Sequence, residues 1–253
     1  MDTRITGLEL KTSLASMLDL MLPRECVVCG RTLIPQERHI CLECLSDLPE
    51  THFASVRCNP MADRFNEKIS SGDFEPYAYA AALFHYGSEA GYRKITQALK
   101  YHRDFGAGRY FAEMLGERLR GSELFSDVDI VVPVPLHWTR HWRRGYNQAA
   151  LIAEGIAGEL GCRCGTRLLR RNRRTKTQTR VQVSEKAGNV SGAFSVRKTA
   201  WKRLSRENVK HILLVDDVFT TGATLSSCYR TLRAELGPEV RISVATLGVV
   251  GCQ

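Results

Sequence analysis

Two adjacent carboxylates followed by a hydroxyl-rich turn are the residues of this chain best suited to chemistry. Asp216 and Asp217 close a short apolar run, Ile212 to Val215, and lead through Val218 and Phe219 into Thr220-Thr221-Gly222-Ala223-Thr224. Neighbouring acids of this kind reach sugar hydroxyls or magnesium, a cation that takes oxygen ligands. The turn sets a glycine and hydroxyls where a strand passes into a helix, so backbone N–H groups and the positive end of the helix dipole converge on one spot. A phosphate fits there. Helix capping is the plainer use of Asp and Thr, but a paired acid ahead of Thr-Thr-Gly exceeds what a cap needs.

Two tight cysteine pairs offer a second chemistry. Cys26-x-x-Cys29 and Cys41-x-x-Cys44, with residues 30–40 between them, have the spacing of a four-thiolate zinc site. Backbone N–H groups of each knuckle would support the sulfurs, and Gly30 permits the turn. A free-thiol or redox pair is the other use of the same spacing. Four thiolates leave no open coordination position, so zinc held there is structural. Cys58, Cys162, Cys164, Cys228 and Cys252 lack such pairing.

These residues need a frame. The run Ile212 to Val215 is short and almost purely apolar, as a parallel strand covered on both faces should be. Further strands are expected at Tyr77 to Tyr86, Ile130 to Val134 and Ile242 to Leu247. Helices are expected at Tyr92 to Tyr101, Phe111 to Arg120, Asn147 to Leu160 and Ala223 to Leu236. Alternation of this sort argues for an α/β fold with a doubly wound parallel sheet, whose ligands collect at the carboxyl ends of the strands. Leu10, Leu14, Met17, Leu18 and Met21 repeat at helical spacing, which predicts a helix within residues 1–22. Leu45 to Asp73, rich in Pro, Asn and Asp, reads as a connector. A boundary near residue 60 then divides a zinc-ribbon-like module, 23–60, from the main domain, 61–253.

The chain's 253 residues, 43% of them hydrophobic, suffice for a full core. No stretch approaches a membrane span, and Asp2 and Glu9 replace the basic start of an export signal. Thiolates kept in pairs and the missing signal point to the cytoplasm. The formal charge of +9 fits an anionic ligand, either a polyphosphate sugar or a nucleic acid, and charge alone does not choose between them. Arg163, Arg167, Arg170, Arg171, Arg173, Arg174, Lys176 and Arg180 crowd one acid-free segment, for which a solvated loop is the ordinary role. No serine, histidine and acid set stands out as a hydrolytic constellation.

The segment from Ile212 to Thr224 resembles the phosphoribosyl pyrophosphate (PRPP) motif of type I phosphoribosyltransferases, although Phe219 is bulkier than the usual aliphatic residue. A second loop, Val132-Pro133-Val134-Pro135-Leu136-His137, should lie at the same sheet edge, stiffened by its two prolines. That shape suits pyrophosphate. Arg140, Arg143 and Arg144 follow, then Gly145-Tyr146-Asn147-Gln148 at the next helix start. Arg143 and Arg144 can make forked hydrogen bonds to pyrophosphate, or form a solvated cluster.

The order of motifs resembles one family more narrowly. A four-cysteine knuckle, Leu99-Lys100-Tyr101, Pro133-Val134-Pro135-Leu136-His137, Arg143-Arg144-Gly145-Tyr146-Asn147-Gln148, a hood with Thr175, Gln178 and Thr179, Asn189-Val190-Ser191-Gly192-Ala193-Phe194 and the PRPP motif succeed one another as in the ComF family. Those are competence-associated phosphoribosyltransferase-like proteins. Lys186 stands where the family usually has Arg, and Cys58 stands alone where many relatives carry a further pair. The resemblance implies PRPP bound with Mg2+, structural Zn2+ at Cys26, Cys29, Cys41 and Cys44, and transfer of phosphoribosyl to an unidentified nitrogen acceptor. It assigns Asp216 and Asp217 to the ribose hydroxyls and metal shell, and Thr220, Thr221, Gly222, Ala223 and Thr224 to the 5'-phosphate. Val134, Pro135, Leu136, His137, Arg143 and Arg144 would line the pyrophosphate end, under a basic lid from Arg170 to Lys186. A link to DNA uptake is also implied, with single-stranded DNA and a helicase-like protein as partners. In that setting a nucleic-acid-associated adaptor or a PRPP-binding regulator is the alternative to an enzyme.

Overall fold

The computed structural model describes residues 23–70, 76–87, 91–99, 104–136, 145–172 and 193–252. The apolar runs become one parallel sheet. Its strands are β1 (Ala80–His85), β2 (Ile130–Pro133), β3 (Arg163–Cys164), β6 (His211–Phe219) and β7 (Arg241–Val249), in the spatial order β1-β7-β6-β2-β3. Every pairing within it is parallel. A separate antiparallel ribbon joins β4 (Leu169–Arg171) to β5 (Phe194–Val196). The helices are α1 (Leu42–Ser46), α2 (Pro60–Ile69), α3 (Arg93–Gln97), α4 (Phe105–Arg120), α5 (Gln148–Leu160), α6 (Lys198–Ser205) and α7 (Ala223–Leu236). Among the described residues, no helix is long and apolar enough to cross a membrane.

Side chains alternate between the faces of a strand, so each apolar run feeds two cores. Ile212 and Leu214 pack with α2, α7 and the β4–β5 ribbon, whereas Leu213 and Val215 pack with α3, α4, α5 and the cysteine module. The sheet is thus covered on both faces, as its unbroken apolar strands require. The expected strands and helices are present with shifted ends. β6 runs on through Asp216 and Asp217 to Phe219, and α4 starts at Phe105, where Asp104 accepts a 2.9 Å hydrogen bond from the Ala107 N–H. Lys100 and Tyr101 lie outside the described residues, as does the helix expected within 1–22.

The segment from Leu45 to Asp73 is not a connector. It carries α2, whose Met61, Ala62, Phe65 and Ile69 are buried against the sheet. Burial of Met61 and Phe65 contributes about 1.5–3 kcal/mol each. The Asn and Pro that suggested a linker are instead a helix start. Asn59 accepts from the Ala62 N–H at 2.9 Å and donates to the β1 carbonyl of Ala80 at 2.9 Å, while Pro60 occupies the first turn.

On the other face, α4 and α5 approach so closely that only glycine fits at the crossing. A Cβ on Gly155 would meet the Ala112 Cβ at 2.6 Å, and one on Gly116 would meet the Glu159 Cβ at 2.6 Å. This contact sets the height of α5 above the sheet. Gly155→Val is expected to overpack it, costing about 1–3 kcal/mol and lowering the urea midpoint without changing far-ultraviolet circular dichroism. An unchanged midpoint would contradict the close contact.

Candidate functional site

The site lies where two neighbouring strands send their chains to opposite faces. β2 pairs with β6 only as far as Pro133 opposite Val215, and the Val134 N–H then donates to the Val215 carbonyl at 2.8 Å. β6 continues beside β7 to Phe219 opposite Val249, so Asp216 to Val218 border a notch left open on the β2 side. The chain after β2 enters α5 on one face, and the chain after β6 enters α7 on the other. A crevice between carboxyl ends at such a reversal is where open α/β sheets bind ligands. Here it holds a cavity of about 260 Å³.

Its walls bring together most of the residues singled out in the sequence. Asp216 and Asp217 line it from β6, Val134, Pro135 and Leu136 from the loop after β2, and Thr220 and Thr224 from the turn into α7. The Asp216 carboxylate is oriented from its own backbone, with the Asp217 N–H donating to Asp216 Oδ1 at 2.9 Å. Thr221, Gly222 and Ala223 shape the turn rather than the wall. Gly222 is the N-cap of α7 at φ 72°, and no side chain caps that helix from this position. An added Cβ there would also strike the Phe219 ring at 2.8 Å, so the bulky Phe219 and the glycine require one another. His137, Arg143 and Arg144 lie outside the described residues, as do Thr175, Gln178, Thr179, Lys186 and residues 189–192.

Several contributors were not legible as site residues. Arg64 of α2 donates to the Thr220 carbonyl at 2.8 Å and to the Val250 carbonyl at 2.7 Å, bracing the turn from behind while its guanidinium lies 5.5 Å from the Phe219 ring centroid. Asn147 caps α5 and ties it to the first loop: its Oδ1 accepts from the Ala149 N–H at 3.2 Å and its Nδ2 donates to the Val134 carbonyl at 3.0 Å. Arg171, read above as part of the basic lid, reaches the wall from β4. Gln148 is 2% exposed, lines the cavity and has no hydrogen-bond partner for its Nε2 among the described residues. The motif Tyr-Asn-Gln marks these positions, but nothing in its spacing says that an amide faces the ligand.

The consequence is a cavity flanked by two helix starts, those of α5 and α7, with carboxylates between. Each start carries the partial positive charge of a helix N-terminus, so the cavity favours anions beside α5 and α7 and hydroxyls or a cation beside the carboxylates. The oxygen donors of Asp216 and Asp217 suit Mg2+.

A second constellation lies in the cysteine module. The sulfurs of Cys26, Cys29, Cys41 and Cys44 all lie within 4.8 Å of one another, and those of Cys29 and Cys41 are 3.8 Å apart. Tetrahedral zinc with sulfur bonds of about 2.3 Å calls for about 3.8 Å between sulfurs, so the donor set fits a structural zinc ion. Amides support the sulfurs, the Cys41 N–H donating to Cys26 Sγ and the Cys44 N–H to Cys41 Sγ, each at 3.4 Å. Burial raises the Cys26 pKa, but the amides of Cys29, Cys41 and Val28 outweigh it and bring the thiol down to about 7. Glu37 holds the intervening loop, accepting from the Ile34 and Leu42 N–H groups at 2.9 and 2.8 Å. The module then packs on the sheet's helices: Val28, Leu33 and Ile40 share a core with Tyr92 and Ile95, and Lys94 Nζ donates to the Val28 carbonyl at 3.0 Å.

At the amino end of β6, Asp127 Oδ1 lies 2.6 Å from His211 Nδ1, and Ser243 Oγ lies 2.8 Å from His211 Nε2. The arrangement has the order of a hydrolytic triad but not its access. Ser243 is fully buried, and no cavity described above reaches it. Burial, working against Asp127, holds His211 below its ordinary pKa, so the imidazole is a neutral bridge between β6 and β7.

The chain is similar to several known proteins. The double zinc ribbon domain family matches residues 17–75, and among the described residues a single four-cysteine cluster falls in that span. Competence protein F of Haemophilus influenzae is 30% identical over 148 residues, 57% of this chain and 62% of that protein, so the match spans less than two thirds of its length. DNA utilization protein YhgH of Salmonella typhimurium is 30% identical over 210 residues, 82% of this chain and 83% of that one. The Escherichia coli K12 protein of the same name is 27% identical over 208 residues, with the same shares, 82% and 83%. Adenine phosphoribosyl transferase from Trypanosoma brucei, solved with AMP, pyrophosphate and ribose-5-phosphate, aligns at 13% identity and a TM-score of 0.32 over 75% of this chain and 79% of that one.

Two outcomes follow from this geometry. Metal analysis should find one zinc per chain and none in Cys26→Ser plus Cys41→Ser, whose melting temperature should also fall, because the module shares a core with Tyr92 and Ile95. Zinc retained by the double variant would exclude the cluster as its site. Gln148→Met, which removes the buried Nε2 that has no partner among the described residues while keeping volume, should stabilise the unliganded protein by about 1 kcal/mol, or raise Tm by about 2–4 °C. A lowered Tm would show that the amide is bonded.

Proposed function

The chain belongs to the ComF family, and from that membership we propose that its cavity binds PRPP with Mg2+ and supports transfer of the phosphoribosyl group to a nitrogen acceptor. The observation that carries this reading is one cavity lined by residues of two helix starts and by two carboxylates. PRPP has a phosphate at one end, a pyrophosphate at the other and a ribose in the middle. The cavity offers groups of the right sign for each of these parts.

In this reading the turn Thr220 to Thr224 cradles the 5'-phosphate through its hydroxyls and the first N–H groups of α7. Asp216 and Asp217 accept hydrogen bonds from the ribose hydroxyls and contribute oxygen donors to the metal shell. Val134, Pro135 and Leu136 and the start of α5 take the pyrophosphate end, with His137, Arg143 and Arg144 as further donors from the adjoining segment. Bound Mg2+ would neutralise pyrophosphate charge and so make it a better leaving group. As the bond from the anomeric carbon to pyrophosphate breaks, positive charge grows on the ribose, and the fixed carboxylates stabilise it electrostatically. The nucleophile's lone pair forms the new bond at that carbon, and pyrophosphate leaves with the old one. No covalent intermediate with the protein is needed, so the protein's contribution is positioning and charge.

The DNA-related names of the relatives favour a second reading in which the same PRPP site serves a regulator or adaptor in DNA uptake without turnover. Pyrophosphate release from PRPP, followed across nucleobases and amines, separates the two, since only an enzyme releases it.

The binding step is tested by calorimetry with PRPP and Mg2+. Asp216→Asn plus Asp217→Asn should keep its fold and lose detectable binding, a drop of more than about a hundredfold if each carboxylate supplies about 1.5–3 kcal/mol of charged hydrogen bonding. Intact binding in the folded double variant would sink the assignment.

A further inference from the structure

Two carboxamides stand side by side at the start of α5, and the fold uses them differently. Asn147 serves the structure: its Oδ1 accepts from the Ala149 N–H and its Nδ2 donates to the Val134 carbonyl. Gln148, the first residue of the helix, is 2% exposed and lines the cavity, yet its Nε2 has no partner among the described residues. A donor buried in this way weakens the fold, because it has left water and gained no acceptor. Acceptors on the same wall are already engaged, the Val134 carbonyl by Asn147 and Asp216 Oδ1 by the Asp217 N–H. An amide nitrogen donates and does not accept, so the group that satisfies it is an acceptor brought in by the ligand.

We propose that Gln148 is the residue with which the cavity recognises a diphosphate, its Nε2–H donating to an oxygen of the pyrophosphate group. The helix start selects an anion as the acceptor, since Gln148 opens a helix of 13 residues whose dipole favours negative charge there. A charged oxygen also makes a stronger bond to N–H than a neutral one does. The place in the fold selects which anion. Gln148 adjoins the loop after β2 through the Asn147 bond to Val134, whereas Thr220 and Thr224 belong to the turn into α7. A ligand held at both helix starts needs an anion at each, and with its 5'-phosphate at the threonines PRPP has its diphosphate for the other. Ribose hydroxyls are matched by Asp216 and Asp217, which accept hydrogen bonds, while the amide supplies a donor without adding charge. The assignment rests on the PRPP reading for the identity of the ligand, and it names the side chain that tells a diphosphate from a single phosphate. The empty protein gives up stability at Gln148 in exchange for that discrimination.

The test is calorimetry of the full chain in Mg2+ with inorganic pyrophosphate, PRPP and ribose 5-phosphate in turn. Gln148→Met should bind pyrophosphate and PRPP at least about tenfold more weakly, the loss of one hydrogen bond to a charged group, and should bind ribose 5-phosphate as the wild type does. Gln148→Glu keeps the shape of the side chain but sets a carboxylate against the phosphate, so it should lose pyrophosphate and PRPP to a greater extent than Gln148→Met and also keep ribose 5-phosphate. A glutamine that only shaped the wall would weaken all three ligands together. The proposal is overturned if Gln148→Met binds pyrophosphate and PRPP as tightly as the wild type, or loses ribose 5-phosphate in the same proportion. It is also overturned if Gln148→Glu binds pyrophosphate no worse than Gln148→Met does. Wild-type protein that binds pyrophosphate but not PRPP sinks the PRPP reading, and a loss of that pyrophosphate binding in Gln148→Met still upholds the role of Gln148. Gln148→Met that binds both ligands normally sinks Gln148 and leaves the PRPP reading standing, and wild-type protein that binds neither overturns both.

Discussion

A sheet whose neighbouring strands pass their chains to opposite faces must leave a gap between those strands' ends. β2 leads to α5 on one face and β6 leads to α7 on the other, so neither loop can cover the space between them. Everything placed around the cavity follows from that fork. The acids project where β6 has lost its neighbour, the proline loop ends where its last ladder bond to Val215 is made, and two helix starts face each other because two chains turn outward from one point. A fold in which both helices lay on the same face would have one anion-favouring end, not two.

Holding the fork open takes rigid support from behind. On one face the glycine-lined crossing of α4 and α5 fixes the position of the α5 start, because each glycine backbone rests on a Cβ, of Ala112 or Glu159, that cannot move without its helix. On the other, Arg64 reaches from α2 through the ring of Phe219 to the turn before α7. The zinc module adds to the first support, since it shares a core with α3 and α4 and does not stand apart from the sheet. Its contribution to the site is mechanical, through the helices on which it rests.

Legibility in the sequence followed range. Strands and helices with strong apolar periodicity were readable because the pattern is local, and the acid pair with its threonine turn was readable because one segment supplies both strand end and helix start. The cysteine knuckles were readable for the same reason. Arg64 was not, because nothing near it in sequence says that its partners are Thr220 and Val250. The role of α2 was misjudged because Asn59 and Pro60 are as suited to a linker as to a helix start, and only the burial of Met61 and Phe65 decides between them. Gln148 illustrates a further limit: a buried amide nitrogen without a partner among the described residues is a property of the folded interior.

The Arg64 brace carries an implication for synthesis. Its guanidinium joins residue 64 to carbonyls at 220, 250 and 251, so the turn before α7 is clamped only after segments far apart along the chain have met. Contacts of such sequence separation form late, because the entropy of closing the intervening loop must be lost first. A nascent chain still lacking β7 can display the acid pair and the threonine turn without being able to hold them in place. The brace therefore makes the shape of this turn depend on the end of the chain: a chain that stops before residue 250 contains Asp216, Asp217 and the threonine turn but lacks two of the carbonyls to which Arg64 is tied.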